Sequence, residues 1–150
     1  MGVRTRTRAE NRKELKKDMA FARLNNCPTS PRKMRLIADL IRGQRVELSL
    51  NILKHNAKQP SERLRKLLLS AIANWQKKNE GLRIEDSDLF IKEIFVDGGR
   101  QLKRLQTAPQ GRAHRIRKRS NHVTIFLDSY NKPEVEEVEE EVEEIEETNN

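Results

Sequence analysis

The sequence predicts an α+β fold in which helices cover one face of a small antiparallel sheet. Apolar side chains recur at helical spacing between Pro31 and Trp75, whereas Leu89–Val96 and His122–Asp128 are rich in β-branched and aromatic residues. A long polar segment separates those two apolar runs. The chain has 150 residues, of which 35% are hydrophobic and 36% charged, so it can form one domain with a modest core.

The first 18 residues form a basic arm that contains too few apolar side chains to anchor a core. A helix is possible there from Glu10 onward. The segment "MAFARL", Met19 to Leu24, then has the composition of a short strand.

The segment "SPRKMRLIADLIRG" predicts a helix from Pro31 to Arg42. Ser30 is a favoured N-cap residue, Pro31 suits the first turn, and Gly43 can adopt the left-handed conformation that ends a helix. The apolar positions of this helix repeat at i, i+3, i+4 and i+7 and predict a core-facing stripe: Met34, Ile37, Ala38 and Ile41.

Two further helical segments follow. "VELSLNILKH" continues the helical pattern until a break that extends through Pro60. Beyond it, apolar side chains recur at helical spacing from Leu64 to Trp75, and Gly81 is the expected stop signal. Because Trp75 continues this apolar stripe, we predict that it packs in the core and does not stack on a nucleic-acid base.

The segment from Gly99 to Asn121 contains eight Lys or Arg residues and no Asp or Glu. If the flanking strands pair, residues 97–121 form either a long loop, which is uncommon in a compact domain, or the arms of an extended hairpin. Half of this segment would reach on the order of 40 Å at about 3.3 Å per residue. Such arms have too little apolar surface to be stable alone, so they need an external partner. We interpret "DGGR" as a turn or bulge.

Charge is distributed unevenly along the chain. Residues 133–150 contain ten of the 23 acidic residues and no basic ones, so residues 1–132 carry a net charge of +18. A polyanion is needed to compensate so much positive charge, which makes nucleic acid the expected partner. Basic residues without interleaved aromatics favour contacts with backbone and shape. We expect the acidic tail to be disordered and to project into solvent, although "EVEEVEEEVEEIEE" can also present one apolar helical face to a partner helix.

Several other classes of protein are disfavoured by the sequence. Cys27 is the only cysteine, and the three histidines show no metal-ligand spacing, so no structural metal or cofactor is expected. The N-terminus has no apolar signal segment and no stretch is long enough to cross a bilayer, so a soluble, cytoplasmic protein is expected. His114 and His122 are a weak candidate for a nuclease acid–base pair, because no carboxylate lies between Asp97 and Asp128. We therefore predict no enzymatic activity. A free nucleic-acid-binding regulator with an acidic tail is the alternative that stays open.

Five segments in register carry a family resemblance: "SPRKMRLIADLIRG", "LLLSAIANW", "IKEIFVDGG", "LKR" and "GRAHRIRKRSNHVTIFL". Together they resemble the bacterial-type ribosomal protein L22 family, universal name uL22, from about Met19 to Asp128. The resemblance implies three helices packed on a three-stranded antiparallel sheet, with a long β-hairpin extending from this body. It implies an RNA-binding domain over residues 19–128, between the arm (1–18) and the acidic tail (129–150).

The resemblance also implies a non-catalytic role in the large ribosomal subunit. In that family the body lies near the outer mouth of the polypeptide exit tunnel and the hairpin passes through ribosomal RNA to the tunnel wall. Its tip lies beside a loop of protein L4, contacts the nascent chain and lies near the site of macrolide antibiotics. The implied partners are thus large-subunit RNA, neighbouring ribosomal proteins and, transiently, the nascent polypeptide.

The candidate RNA-binding residues combine the basic clusters with the positions that match the family: Arg4, Arg6, Arg8, Ser30, Arg32, Lys33, Arg35, Arg100, Lys103, Arg104, Arg112, His114, Arg115, Arg117, Lys118, Arg119 and His122. The candidate tunnel-lining tip comprises Gln106, Thr107, Ala108, Pro109, Gln110 and Gly111. The tip departs from the family's common "PRAxGRA" pattern. This chain reads "TAPQGRA", with the proline at Pro109 and no basic residue at Ala108.

Overall fold

A computed structural model describes residues 3–79 and 87–130 of the chain. The order of elements is α1 (Val3–Asp18), β1 (Ala20–Cys27), α2 (Pro31–Ile41), α3 (Val46–His55), α4 (Gln59–Lys78), β2 (Leu89–Thr107), a 3-10 turn (Pro109–Gly111) and β3 (Ala113–Ser129). The predicted stop at Gly81 and the predicted disorder of the acidic tail lie outside the described residues.

The three strands form one antiparallel sheet in the order β1-β3-β2, so the last strand is central. β3 pairs with β2 from Leu89↔Ser129 to Thr107↔Ala113. It pairs with β1 from Ala20↔Leu127 to Cys27↔Asn121. The predicted α+β class is confirmed, and the strand predicted at "MAFARL" is present but continues to Cys27.

The core lies between one face of this sheet and the helices α2, α3 and α4. Alternate side chains of β3, including Val123 and Ile125, are fully buried against the helices. The predicted stripe of α2 is also buried: Met34, Ile37, Ala38 and Ile41. Trp75 is only 6% exposed and belongs to the same core cluster, which confirms the prediction of a core tryptophan.

The two ends of α2 carry the residues that the sequence predicts as its N-cap and its C-terminal stop. Gly43 follows the helix at φ +70°, as predicted, and its N–H donates to the carbonyl of Ile91 on β2 at 3.1 Å. Ser30 occupies the N-cap position, and its carbonyl accepts the N–H of Met34 at 3.2 Å. Within the described part of the chain, however, the Ser30 hydroxyl makes no capping hydrogen bond. Ser30 therefore begins the helix through its backbone conformation.

The basic arm is more helical than the sequence predicts, because α1 begins at Val3 and not near Glu10. Most of its residues are good helix formers, and Arg6 makes an i,i+4 ion pair with Glu10 at 3.0 Å. In α1, Arg4 and residues 6–13 are exposed to solvent.

Candidate RNA interface

The predicted extended hairpin is formed by the distal halves of β2 and β3. Beyond the body, the strands remain paired from Gln101↔Arg119 to Thr107↔Ala113. Its basic side chains are all exposed: Arg100, Lys103, Arg104, Arg112, Arg115, Arg117, Lys118 and Arg119. The hairpin therefore presents its cations to an external partner.

The register of the hairpin places like charges beside each other. Lys103 lies directly opposite Arg117, whereas Arg104 faces Ile116 and Leu105 faces Arg115. Directly opposed side chains share one face of a ladder, and like charges in such pairs are destabilising. Because the segment has no carboxylate of its own, the positive charge can be neutralised only from outside.

A shallow groove of about 390 Å³ lies on the hairpin, bordered by Lys103, Arg104, Leu105 and Arg115. The Nη1 of Arg104 donates to the Lys103 carbonyl at 2.9 Å, which holds that guanidinium against the strand. The remaining N–H groups of Arg104 and the flexible Lys103 and Arg115 can donate to phosphate oxygens. This part of the arm is chemically suited to a nucleic-acid backbone.

The hairpin ends in a tight turn that differs chemically from the arms. The Ala108 N–H donates to the Arg112 carbonyl at 2.9 Å, and Gln110 and Gly111 follow each other at φ +62° and +68°. The predicted tip residues are exposed apart from the half-buried Ala108: Gln106, Thr107, Ala108, Pro109, Gln110 and Gly111. These residues are uncharged, so the tip offers surface and amide groups but no cation.

A β-bulge marks the junction between body and hairpin. The register shifts between Gly98 and Gln101, which confirms the bulge predicted at "DGGR". A Cβ on Gly99 would lie 2.7 Å from the Ser120 Oγ and 3.2 Å from the Asn121 backbone nitrogen. The two strands therefore approach closely where the hairpin leaves the body.

Buried polar contacts tie this junction to the start of α2. The Asn121 side chain is fully buried, and its Nδ2 donates to the carbonyl and to the Oγ1 of Thr29 at 2.7 and 2.8 Å. Arg35 donates from Nε and Nη2 to the Val96 carbonyl at 3.3 and 2.9 Å. The fold thus brings the predicted cations of α2 next to the base of the hairpin.

The first turn of α2 adds positive charge at this junction. Arg32 and Lys33 are exposed there, at the helix end where unpaired N–H groups attract anions. Arg35 is exposed too, but part of its guanidinium already binds the Val96 carbonyl. Arg32 and Lys33 are therefore better placed than Arg35 to give their full hydrogen-bonding capacity to RNA.

The two candidate histidines, His114 and His122, have different surroundings. The His122 Nδ1 accepts the Asn26 N–H at 3.1 Å, so one ring nitrogen is already used within the body. His114 is exposed and lies opposite Gln106 beside the tip. Eight residues of extended strand separate the two rings by about 26 Å, which is too far for a shared acid–base reaction.

The arginines of the arm are the remaining predicted RNA ligands. Arg4, Arg6 and Arg8 lie on α1 and are exposed. The Arg6 guanidinium is paired with Glu10, whereas the Arg4 carbonyl accepts the Thr7 hydroxyl. Exposed arginines on a helix fit contacts with phosphate groups.

The outer face of the sheet carries an aromatic cluster that sequence reasoning missed. Phe126 lies 5.8 Å from Phe21 and 6.1 Å from Phe95, measured between ring centroids. On the same face, Lys92 Nζ lies 2.7 Å from Asp128 Oδ2, and this hydrogen bond raises the pKa of Lys92 above its usual value. The face thus has mixed charge and lacks the excess of cations on the hairpin.

Among residues 3–79 and 87–130, no group of three or more His, Cys, Asp or Glu side chains is arranged to hold a metal ion. None of the helices described here combines the length and apolar character that crossing a membrane requires.

Comparison with known proteins gives consistent matches over most of the chain. Residues 22–128 match the family described as ribosomal protein L22p/L17e. The chain is 68% identical over 131 residues to the large ribosomal subunit protein uL22 of Christiangramia forsetii, which covers 87% of this chain and 97% of that protein. It is 66% identical over 131 residues to the uL22 of Flavobacterium johnsoniae, covering 87% and 96% of the two chains. The chain is 59% identical over 129 residues to the uL22 of Bacteroides fragilis, which covers 86% of this chain and 94% of that protein.

Proposed function

The chain belongs to the L22p/L17e family of large-subunit ribosomal proteins, and from this membership we propose that it binds and organises large-subunit ribosomal RNA. Residues 19–128 are the RNA-binding domain, with the basic arm (1–18) as a further RNA contact and the acidic tail (129–150) outside the RNA. The protein acts as a structural component without a catalytic step, bound to ribosomes in the cytoplasm.

The arrangement of the hairpin supports this proposal most directly. The hairpin carries eight cations and no carboxylate between Gly99 and Asn121, and Lys103 and Arg117 lie opposite each other. A lattice of phosphates on both sides of the arms neutralises this charge and replaces the core that the hairpin lacks. The cations of α2 extend the same surface at the junction, because Arg35 and Asn121 join that helix to the hairpin base.

The tip has a separate role in this proposal. Because Gln106–Gly111 contains no basic residue, it is poorly suited to holding phosphates. We assign it to the wall of the exit tunnel, beside protein L4, where it meets the nascent polypeptide. The tight turn at Gln110 and Gly111 gives the arms a blunt end that can line a cavity.

The test separates the arms from the tip in full-length variants expressed in cells. Replacing Arg115 and Lys118 with Glu should strongly reduce the amount of the protein that sediments with large subunits after a high-salt wash. Two carboxylates would then face phosphates in partly desolvated surroundings. The matched control replaces Lys54 and Lys58, which are exposed and lie outside the hairpin, with Glu and changes the net charge equally.

The second variant deletes Thr107–Gln110. It should enter large subunits nearly as well as the wild type but change macrolide sensitivity or stalling on particular nascent peptides. Equal assembly defects in the deletion and in the charge reversal would show that the tip is a structural anchor. Tight binding to duplex DNA without sedimentation in large subunits would instead support a free regulator.

A further inference from the structure

A cleft of about 470 Å³ lies on the body, between the second half of β1 and the first turns of α4. Its volume falls within the range of about 300–1,000 Å³ that is usual for small-ligand sites. None of the candidate RNA-binding residues identified from sequence lines it. The cleft is therefore a feature that the hairpin-based account of RNA binding does not use.

The floor of the cleft is apolar and its rim is cationic. Cys27 and Leu67 are buried and Leu24 is half-buried, whereas Arg23, Arg63 and Lys66 contribute positive charge. None of the ten described lining residues is acidic. Outside the lining, Glu62 pairs with Lys66 at 3.0 Å, and this hydrogen bond lowers the pKa of the Glu62 carboxyl. Arg23 and Arg63 have no such ion pair among the described contacts.

Arg63 is held in place above the floor. Its Nη1 donates to the Cys27 Sγ at 2.9 Å, and the Cys27 Sγ also lies 3.4 Å from the Thr29 Oγ1. This contact fixes one end of the guanidinium, and its other N–H groups make no further hydrogen bond among the described contacts. A fixed guanidinium loses less conformational entropy when it binds a phosphate.

The bulge of β1 supplies amide groups to the same cleft. Pairing with β3 is regular up to Leu24↔Val123 and resumes at Cys27↔Asn121, so Asn25 and Asn26 lie outside the regular ladder. Asn26 adopts φ +51°, and its N–H is held by the His122 Nδ1. Both asparagines are exposed and line the cleft. Their side-chain amides have both donors and acceptors, as the edge of a nucleic-acid base requires.

We propose that this cleft binds a single unpaired nucleotide of ribosomal RNA, with its base against Leu24 and Leu67 and its phosphate at Arg63. A phosphate alone would leave the apolar floor in contact with water, and an apolar protein side chain would leave Arg23 and Arg63 without counter-charge. A nucleotide matches the floor, the amides and the rim together, in the way that extruded bases occupy apolar pockets. The inference rests on the proposed function, because it needs the protein to be bound to that RNA.

The experiment fills the cleft and leaves the neighbouring surface unchanged. Ser70 lines the cleft and is exposed, whereas its neighbour Leu69 is 45% exposed and does not line it. Full-length Ser70→Trp and Leu69→Trp variants are incorporated into large subunits, and every RNA 2′-hydroxyl is probed with an acylating reagent. In Ser70→Trp subunits one local group of nucleotides should become several-fold more reactive, whereas Leu69→Trp subunits should match the wild type.

A second variant tests the rim without filling the cleft. Replacing Arg23 and Arg63 with Gln should raise the reactivity of the same nucleotides as Ser70→Trp. Identical reactivity patterns in Ser70→Trp and Leu69→Trp subunits would overturn the inference. A change in reactivity with the Gln variant but not with Ser70→Trp would also overturn the inference, because that result would indicate a phosphate contact outside the cleft. Failure of the wild-type protein itself to sediment with large subunits would contradict the proposed function, a result distinguishable from both.

Discussion

Asn121 is a buried polar residue at the junction between the hairpin and the body. It is fully buried, its Nδ2 donates twice to Thr29, and its Oδ1 has no hydrogen-bond partner among the described residues. A buried amide with both donors used and its acceptor unused tolerates little change. The side chain therefore fixes the position of β3 relative to the segment before α2.

We expect Asn121→Asp to lower the free energy of unfolding by at least about 2 kcal/mol at pH 7, because a carboxylate oxygen would face the Thr29 carbonyl. Protonation of the new carboxyl restores one donor, so the loss should become smaller as the pH falls. Urea unfolding of the free protein at several pH values measures both effects. Asn51→Asp, at an exposed position of α3, is the control and should change stability little. Equal effects of the two substitutions would argue against a structural role for Asn121.

Gly99 provides a second test at the residue scale. A Cβ at this position would lie 2.7 Å from the Ser120 Oγ, whose hydroxyl donates to the Arg100 carbonyl, whereas a Cβ on Gly98 would meet nothing within 4 Å. Gly99→Ala should therefore destabilise the protein by about 1–2 kcal/mol, in the range of overpacking substitutions. Gly98→Ala should be nearly neutral in the same unfolding measurement. If Ser120→Gly fails to recover stability in the Gly99→Ala background, the contact with the Ser120 Oγ is not the cause.

At the scale of the element, the hairpin has few interactions that stabilise it on its own. Its apolar side chains Leu102, Leu105 and Ile116 are all exposed, and none of its cross-strand pairs joins opposite charges. Two-stranded hairpins without packing are marginally stable in water. The body holds this one at its base through the bulge and Asn121, and in the proposed function RNA supplies the remaining stabilisation.

Lys103→Glu should therefore have opposite effects on the free protein and on the complex. The new Glu would lie opposite Arg117 and stabilise the ladder by about 0.2–1 kcal/mol, which hydrogen exchange of the hairpin amides can detect. Affinity for large-subunit RNA should nevertheless fall, by roughly tenfold at moderate salt, because a phosphate contact becomes a repulsion. Lys103→Gln separates the two effects, since it removes the repulsion without creating a new pair. Increased affinity of Lys103→Glu would contradict the assignment of the arms to phosphate.

At the scale of the whole molecule, we propose that the described cations of the arm, the first turn of α2 and the hairpin bind RNA together. Binding through many phosphates releases many counterions, so affinity for large-subunit RNA should fall steeply with salt. For six to ten phosphate contacts we expect a loss of roughly 10³–10⁵ in affinity between about 50 and 200 mM salt. Filter binding with isolated RNA fragments over this range measures the slope.

Single substitutions provide the complementary observation. Arg32→Ala or Lys33→Ala should each lower the affinity for RNA only slightly. Each should also reduce the slope of log affinity against log salt concentration by about one, the value for one phosphate contact. Arg35→Ala should also lower the stability of the free protein, because it removes both hydrogen bonds to the Val96 carbonyl. Binding that is insensitive to salt would exclude an interface based mainly on phosphates.

The local pattern of the sequence was sufficient to predict the α+β class, the core position of Trp75 and the extended hairpin, and α2 except that it ends at Ile41 and not at Arg42. Each prediction depends on residues within a few positions of one another: helical spacing, alternation, a glycine after the last apolar position or a run of cations. Only the tertiary structure showed which cations face each other, that Arg35 reaches Val96 over 61 positions, and that Asn121 reaches Thr29 over 92. The cleft of Arg23, Arg63 and Leu67 likewise joins a strand to a distant helix. Such contacts arise only when elements pack. Because the residues that make them are far apart in the chain, no local sequence pattern predicts them.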